Sequence, residues 1–308
     1  MKYAFLFPGQ GSQTVGMGKD LFDSFACVRK RISQADVVLG RELTKIIFTG
    51  PAEALTATNN TQPALFTVEA AITDLLAEKG IVPSMVAGHS LGEYSALYAA
   101  GVIAFEDGLK LVAHRGELMA AVGTKRPGTM AAIIGLEKSR ITEVLRDIRS
   151  GIVVTANENT PDQTVISGET TAVVEAGEKL KAAGAKKVVP LSVSGAFHSP
   201  LMQDAADEMA AVLAPVRFSA PKCPVIANVT AKPENDPAFL KELLVKQLVS
   251  PVRWVDSMGV LAALQCEVCI EAGPGSILRG LARKCSDKLN VVAADTVTNI
   301  SSLLEKSG

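Results

Sequence analysis

Cysteine and histidine are scarce in this chain, and it has neither an excess of one charge nor a long apolar run. Each absence removes a class of function. The five cysteines, Cys27, Cys223, Cys266, Cys269 and Cys285, are odd in number and scattered. That argues against a disulfide framework and fits a reducing, cytoplasmic setting. Cys266 and Cys269 have the spacing of half a metal site, but they fall in a strand-like run where residues three apart face opposite sides, and no second pair exists. No metal is therefore expected. No apolar segment is long enough to span a bilayer, so no membrane partner is expected. The run from Met1 to Phe7 is also too short for a signal-peptide core. With 31 basic and 32 acidic residues the formal net charge is −1, and no global field points to nucleic acid. Internal repeats and low-complexity tracts do not occur. What remains is 308 residues, 48% of them apolar, enough to bury a substantial core in one large domain or two modest ones.

The most informative feature present is Gly88-His89-Ser90-Leu91-Gly92. The short apolar run 83–87 before it reads as a buried strand, and 93–100 after it reads as a helix stopped by Gly101. Strand, Gly-x-Ser-x-Gly, helix is the context of a nucleophile elbow. The chain reverses so tightly at the serine that the positions two before and two after it must lack side chains. Ser90 Oγ is then exposed at the positive end of a helix.

Strand and helix signals alternate along the chain. A strand is expected at 3–7, a helix at 64–79 after Gln62-Pro63, the elbow strand and helix, and an amphipathic helix at 105–122. Such alternation predicts an α/β fold with a mainly parallel sheet. From 125 to 194 the pattern becomes strand 128–136, helix 138–149, strands 152–156 and 164–167, helix 170–183 and strand 186–191. That order is βαββαβ, the ferredoxin-like unit. Turn residues flank it, Lys125-Arg126-Pro127-Gly128 before and Ser192-Val193-Ser194-Gly195 after. We therefore expect a small subdomain, 125–194, inserted into a large hydrolase-like α/β subdomain formed by 1–124 and 195–308. Strands at 224–228 and 268–272 and a helix at 276–284 complete the pattern.

A serine hydroxyl is a weak nucleophile and needs a base within hydrogen-bond reach. The chain has only three histidines. His89 should point away from its neighbour Ser90 at the turn, and His114 lies in an amphipathic helix. His198 sits in the loop Gly195-Ala196-Phe197-His198-Ser199-Pro200, where a side chain can reach a cleft between the two parts, and is the expected base. A serine hydrolase usually has an Asp or Glu to orient that histidine, but no carboxylate stands in a distinctive loop. The segment Phe7-Pro8-Gly9-Gln10-Gly11-Ser12-Gln13 begins like a dinucleotide fingerprint, but the third glycine is replaced by Thr14. A loop that leaves a backbone N–H beside the elbow suits it better. Arg115 reads equally as a surface charge or as a cation that grips a substrate carboxylate.

Several segments together resemble the malonyl-CoA:acyl carrier protein transacylase family, over essentially the whole chain and in the family's order. They are Phe7 to Gln13, Thr61-Gln62-Pro63-Ala64-Leu65, Gly88 to Glu93, Arg115, Gly195 to Ser199, Gln247 ahead of Pro251-Val252-Arg253-Trp254, and Glu271-Ala272-Gly273-Pro274-Gly275. The resemblance implies that Ser90 is the acyl-accepting nucleophile and His198 its base, held by the backbone carbonyl of Gln247 rather than by a carboxylate. It implies that the backbone N–H groups of Gln10 and Leu91 form the oxyanion hole and that Arg115 grips the malonyl carboxylate. Ala196-Phe197-His198-Ser199 resembles the malonyl-selective version of this string.

The activity so implied is transfer of malonyl from malonyl-CoA to acyl carrier protein in fatty acid biosynthesis. It requires no cofactor, malonyl-CoA being a substrate, and the chain is expected to be a discrete, monomeric enzyme. Three alternatives are an acyltransferase serving a polyketide synthase, a serine thioesterase or esterase on the same elbow, and a non-catalytic carrier-binding module. Lys125-Arg126, Lys186-Lys187 and the stretch from Arg279 to Lys284 read as ordinary surface, with the pairs near the small subdomain the candidates for docking an acidic carrier.

Overall fold

The computed structural model describes residues 2–193, 195–264 and 266–307. Ser194, at the expected end of the inserted unit, lies outside the described residues, as do Met1 and Gly308 at the ends of the large one. Ten strands are found among the described residues: β1 (Tyr3–Phe7), β2 (Pro83–Gly88), β3 (Gly128–Ile134), β4 (Val153–Thr160), β5 (Gln163–Glu169), β6 (Lys187–Pro190), β7 (Val225–Ile226), β8 (Pro233–Glu234), β9 (Val268–Glu271) and β10 (Val291–Ala293). They form two sheets. One has the order β10-β9-β1-β2-β7-β8 and is parallel except where β8 joins β7. Its central strand β1 is buried along its whole length, as a parallel strand covered by helices on both faces must be.

The second sheet, β4-β5-β3-β6, is antiparallel throughout. Helices Lys138–Arg146 and Thr170–Ala182 are the two crossovers, which completes the ferredoxin-like unit. It has its own core, in which Ile133, Ile141, Ile166 and Leu180 are fully covered. The small sheet is tied to the large subdomain at Val252, in the loop before the helix Trp254–Ala263. Its N–H donates to the Ala156 carbonyl at 2.8 Å, and its carbonyl accepts from the Glu158 N–H at 2.9 Å. Residue 252 belongs to neither sheet, so this is an isolated parallel bridge that ties β4 to the large subdomain.

Two expectations are corrected. The strand expected at 224–228 is only the two residues of β7. The helix expected at 64–79 is Thr58–Glu78, with Pro63 inside it. A proline removes the N–H that would bond the carbonyl four residues back, here Asn59. Arg41 Nη2 donates to that carbonyl at 3.1 Å, so the helix continues through the proline. This helix packs on Phe105–Lys125, and the contact is close at Gly116, where a Cβ would stand 2.7 Å from the Thr58 carbonyl oxygen.

Candidate active site

Strand β2 ends at Gly88 and the helix Gly92–Ala99 begins four residues later. Between them Ser90 is left-handed, with φ of 52°, a conformation that costs a non-glycine residue about 1–3 kcal/mol and persists only when its surroundings hold it. The crowding is severe. A Cβ on Gly88 would lie 1.9 Å from the Gly92 carbonyl oxygen, and one on Gly92 would lie 2.1 Å from that of Phe7. Asn228, just past β7, pins the turn from outside. Its Oδ1 accepts from the Ser90 N–H at 2.8 Å and its Nδ2 donates to the Gly88 carbonyl at 2.6 Å.

His198 reaches this turn from the loop after β6. Its own backbone is left-handed, with φ of 55°. Ser199 fastens the loop on its far side, the hydroxyl donating to the Ala196 carbonyl and accepting from the Leu201 N–H. His198 Nδ1 lies 2.9 Å from the Gln247 backbone carbonyl, and Nε2 lies 2.8 Å from Ser90 Oγ. A carbonyl only accepts, so Nδ1 carries the proton and Nε2 presents its lone pair to the serine hydroxyl. Burial, reinforced by the Arg115 charge, pushes the imidazole down to about 3. It is therefore neutral at rest and free to take a proton.

Arg115 is not a surface charge. It is 1% exposed and projects from Phe105–Lys125 beneath the serine. Nη1 donates to Gln62 Oε1 at 2.7 Å; Nη2 donates to Gln247 Oε1 at 2.9 Å and, more loosely, to Ser90 Oγ at 3.3 Å. The close helix contact at Gly116 is what brings Gln62 within reach. Among the described residues no carboxylate forms an ion pair with this guanidinium, and its Nε is buried without a partner. The direct hydrogen-bond partners of Arg115 are all neutral oxygens; burying a cation so is costly, and a ligand carboxylate would offset that cost.

Gln10 and Leu91 line the same cleft of about 110 Å³ as Ser90, Arg115 and His198, and neither backbone amide is engaged in a turn or loop hydrogen bond among the described residues. Four larger hollows, of about 650, 640, 230 and 150 Å³, have no histidine in their lining; chemistry, not size, singles out the cleft. The structure thus brings Ser90, His198, Gln247, Gln10, Leu91 and Arg115 together. His89 lines the cleft but turns its ring edge-on to Trp254, with Nε2 2.9 Å from Asn159 Oδ1 on β4, and His114 pairs with Glu117 on the surface.

Sequence reasoning missed Asn228, Gln62 and Glu93 as parts of this site. Glu93 follows the elbow and is 1% exposed. Burial pushes its carboxyl up to about 7, against the opposing pull of hydrogen bonds from Gln247 and Asn228 and of the Arg115 charge. Its only sequence signal was its place immediately after the elbow glycine.

Residues 4–301 match the acyl transferase domain family. The malonyl CoA-acyl carrier protein transacylase of Escherichia coli (strain K12) is 43% identical over 306 residues, 99% of each chain. A crystal structure of an acyl carrier protein S-malonyltransferase from Vibrio cholerae superposes with a TM-score of 0.95 at 44% identity, over 98% of this chain and 100% of that one. A malonyl-transacylase solved in complex with its type II PKS acyl-carrier protein gives 0.96 at 40% identity, over 99% and 100%. A full-length match at this identity, on a fold that assembles a serine–histidine pair beside a buried arginine, has one meaning: the chain belongs to the malonyl CoA-acyl carrier protein transacylases of the acyl transferase family.

Proposed function

We propose that this acyltransferase moves a malonyl group from malonyl-CoA to the phosphopantetheine thiol of an acyl carrier protein, through an ester on Ser90, in fatty acid biosynthesis. The observation that carries this reading is the buried Arg115 guanidinium, without a carboxylate partner among the described residues and 3.3 Å from the serine oxygen. A hydrolase of simple esters has no use for such a cation, whereas an acyl group with a free carboxylate at its far end would pair with it.

Ser90 attacks the thioester carbon while His198 Nε2 takes its proton, and the tetrahedral oxyanion falls to the amides of Gln10 and Leu91. Each such donor typically contributes about 2.7–4 kcal/mol to the transition state. His198 then returns the proton to the departing CoA sulfur. In the second half the carrier thiol gives its proton to His198 and attacks the malonyl ester, and as the Ser90–acyl bond breaks His198 returns that proton to Ser90 Oγ. The Gln247 carbonyl keeps the imidazole in the required tautomer, the task a carboxylate performs in a triad.

No cofactor enters this scheme, since side chains and amides of one chain supply nucleophile, base, oxyanion donors and cation. For the same reason we propose a monomer, acting in the cytoplasm, where the five free cysteines would stay reduced. We also propose that residues 125–194 act as a distinct small lobe over the catalytic lobe of 1–124 and 195–308, since Met130, Leu191 and Val193 of the small lobe line the cleft.

Incubation with labelled malonyl-CoA and a purified carrier tests the reading. Label should appear on Ser90 and then on the carrier, with slow release of free malonate; rapid malonate release without carrier labelling would show a thioesterase. Because one structural neighbour is complexed with a type II PKS carrier, transfer rates should be compared between fatty acid and polyketide carriers.

A further inference from the structure

The Gln247 side chain is the hub of the site, and Glu93 supplies the one charged acceptor among the three contacts that orient it. Its Oε1 accepts from Arg115 Nη2 at 2.9 Å, while its Nε2 donates to the Ser90 carbonyl at 2.9 Å and to Glu93 Oε2 at 2.6 Å. A primary amide has nearly the same shape when its oxygen and nitrogen are exchanged, so only its partners decide which end faces the arginine. Glu93 Oε2 accepts from Gln247 and, at 3.3 Å, from the Asn228 N–H. If the amide turned over, its oxygen would face the Ser90 carbonyl and the Glu93 carboxylate, and its NH₂ would face the guanidinium. All three contacts would then repel.

We propose that Glu93 is a specificity-determining positioning residue: by accepting from Gln247 Nε2 it turns Gln247 Oε1 onto Arg115 and so holds the guanidinium in place for the acyl carboxylate. An acid in the first turn of a helix commonly serves only to stabilise that helix. Glu93 instead directs its oxygen across the molecule, to residues 135 and 154 positions away. It reaches neither Ser90 Oγ nor His198; the histidine is held by the Gln247 backbone, which a side-chain rotation leaves unchanged. Loss of the Glu93 acceptor should therefore impair recognition of the carboxylate and spare the chemistry of the serine. This inference rests on the malonyl reading of the site.

The test is the rate of Ser90 acylation by malonyl-CoA and by acetyl-CoA, followed by intact-protein mass, in three proteins. Glu93→Met keeps the length of the side chain and removes the acceptor; Glu93→Gln keeps an acceptor oxygen and removes the charge. Losing an acceptor that holds a buried charged group predicts at least about a ten-fold drop with malonyl-CoA for Glu93→Met, mainly in KM, and no more than about three-fold with acetyl-CoA. Glu93→Gln should recover malonyl acylation to within about three-fold of the unsubstituted protein. The ionisable neighbours of Glu93 are Arg115 and Tyr94, and both keep their charge state near neutrality. In the unsubstituted protein the malonyl-to-acetyl ratio should then stay level as Glu93 titrates, because a protonated carboxyl still offers its carbonyl oxygen. Equal losses with both donors in Glu93→Met would overturn the proposal, as would a Glu93→Gln as damaged as Glu93→Met, or a ratio that steps at the titration of Glu93. An unsubstituted protein that gains acetyl but no malonyl mass would overturn the reading beneath it as well.

Discussion

His198 is buried, and its burial ties stability to pH with a definite sign. In the unfolded chain the imidazole binds a proton near its ordinary value of 6.5, but in the folded protein it does so only near 3. Between those values the unfolded state holds the extra proton, so stability falls as pH falls. Lowering the pH from about 7.5 to about 5 should cost the protein about 2 kcal/mol at this residue. Glu93 and Glu271, both pushed up to about 7 by burial, act in the opposite direction. Their share is fully present below 4.5 and is lost as pH rises through about 7. Both carboxyls remain in a His198→Ala variant, so the stability gap between it and the unsubstituted protein should narrow by that same amount, about 2 kcal/mol, over this range. Denaturant melts at the two pH values check it, and a constant gap would contradict it. For Arg115, substitution by alanine removes the partner of a carboxylate and should reduce the preference for malonyl over acetyl by about 1.5–3 kcal/mol while leaving Ser90 open to acetyl-CoA. Unchanged selectivity in acylation assays would remove Arg115 from the role. Ser90 was legible in the sequence because the elbow is local. The burial of Arg115 was not, since it depends on a helix-to-helix approach at Gly116 that spans 58 to 116.

At the scale of elements, the elbow shows why a local rule succeeds and the helix through Pro63 shows why one fails. Gly88 and Gly92 lie so near backbone atoms that the spacing of the motif is dictated by sterics within the turn itself and by β1 beside it. A Gly92→Ala substitution would drive its Cβ into the Phe7 carbonyl, and because neither backbone can yield without moving β1, the cost should reach about 3 kcal/mol or more. Thermal or denaturant melting measures this directly, and a loss under about 1 kcal/mol would mean the turn relaxes easily. Proline normally ends a helix on its N-terminal side, so the sequence reading began this one at 64. The rule was defeated by Arg41, which lies 22 positions before Pro63 in sequence and supplies the hydrogen bond that the proline cannot. Asn228 escaped notice for the same reason: it grips the elbow across 138 residues, and no spacing pattern records such a contact. The βαββαβ order was legible because each of its strands and helices carries its own periodicity and turn signals.

On the scale of the whole molecule, the cleft lies where the antiparallel sheet meets the carboxyl ends of the parallel strands, and a carrier delivering its thiol to Ser90 would have to cross its rim. Strand β6 is the edge of its sheet. Lys186 and Lys187 at its start are exposed, and the chain that leaves its other end contributes Leu191 and Val193 to the cleft wall. A basic edge continuous with the entrance is suited to steer an acidic carrier whose thiol must pass to Ser90. The two lysines are not equivalent. Lys186 lies near Asp162, which offsets part of its field, so Lys187 should dominate. Lys187→Glu should raise the KM for an acidic carrier by about three- to ten-fold at low salt, less at about 0.5 M, because exposed charges are screened within a few ångströms there. Acylation of Ser90 by malonyl-CoA, which involves no carrier, should be unaffected, and Lys186→Glu should have the smaller effect. A carrier KM that is unchanged at low salt in both variants would move the docking surface away from this edge.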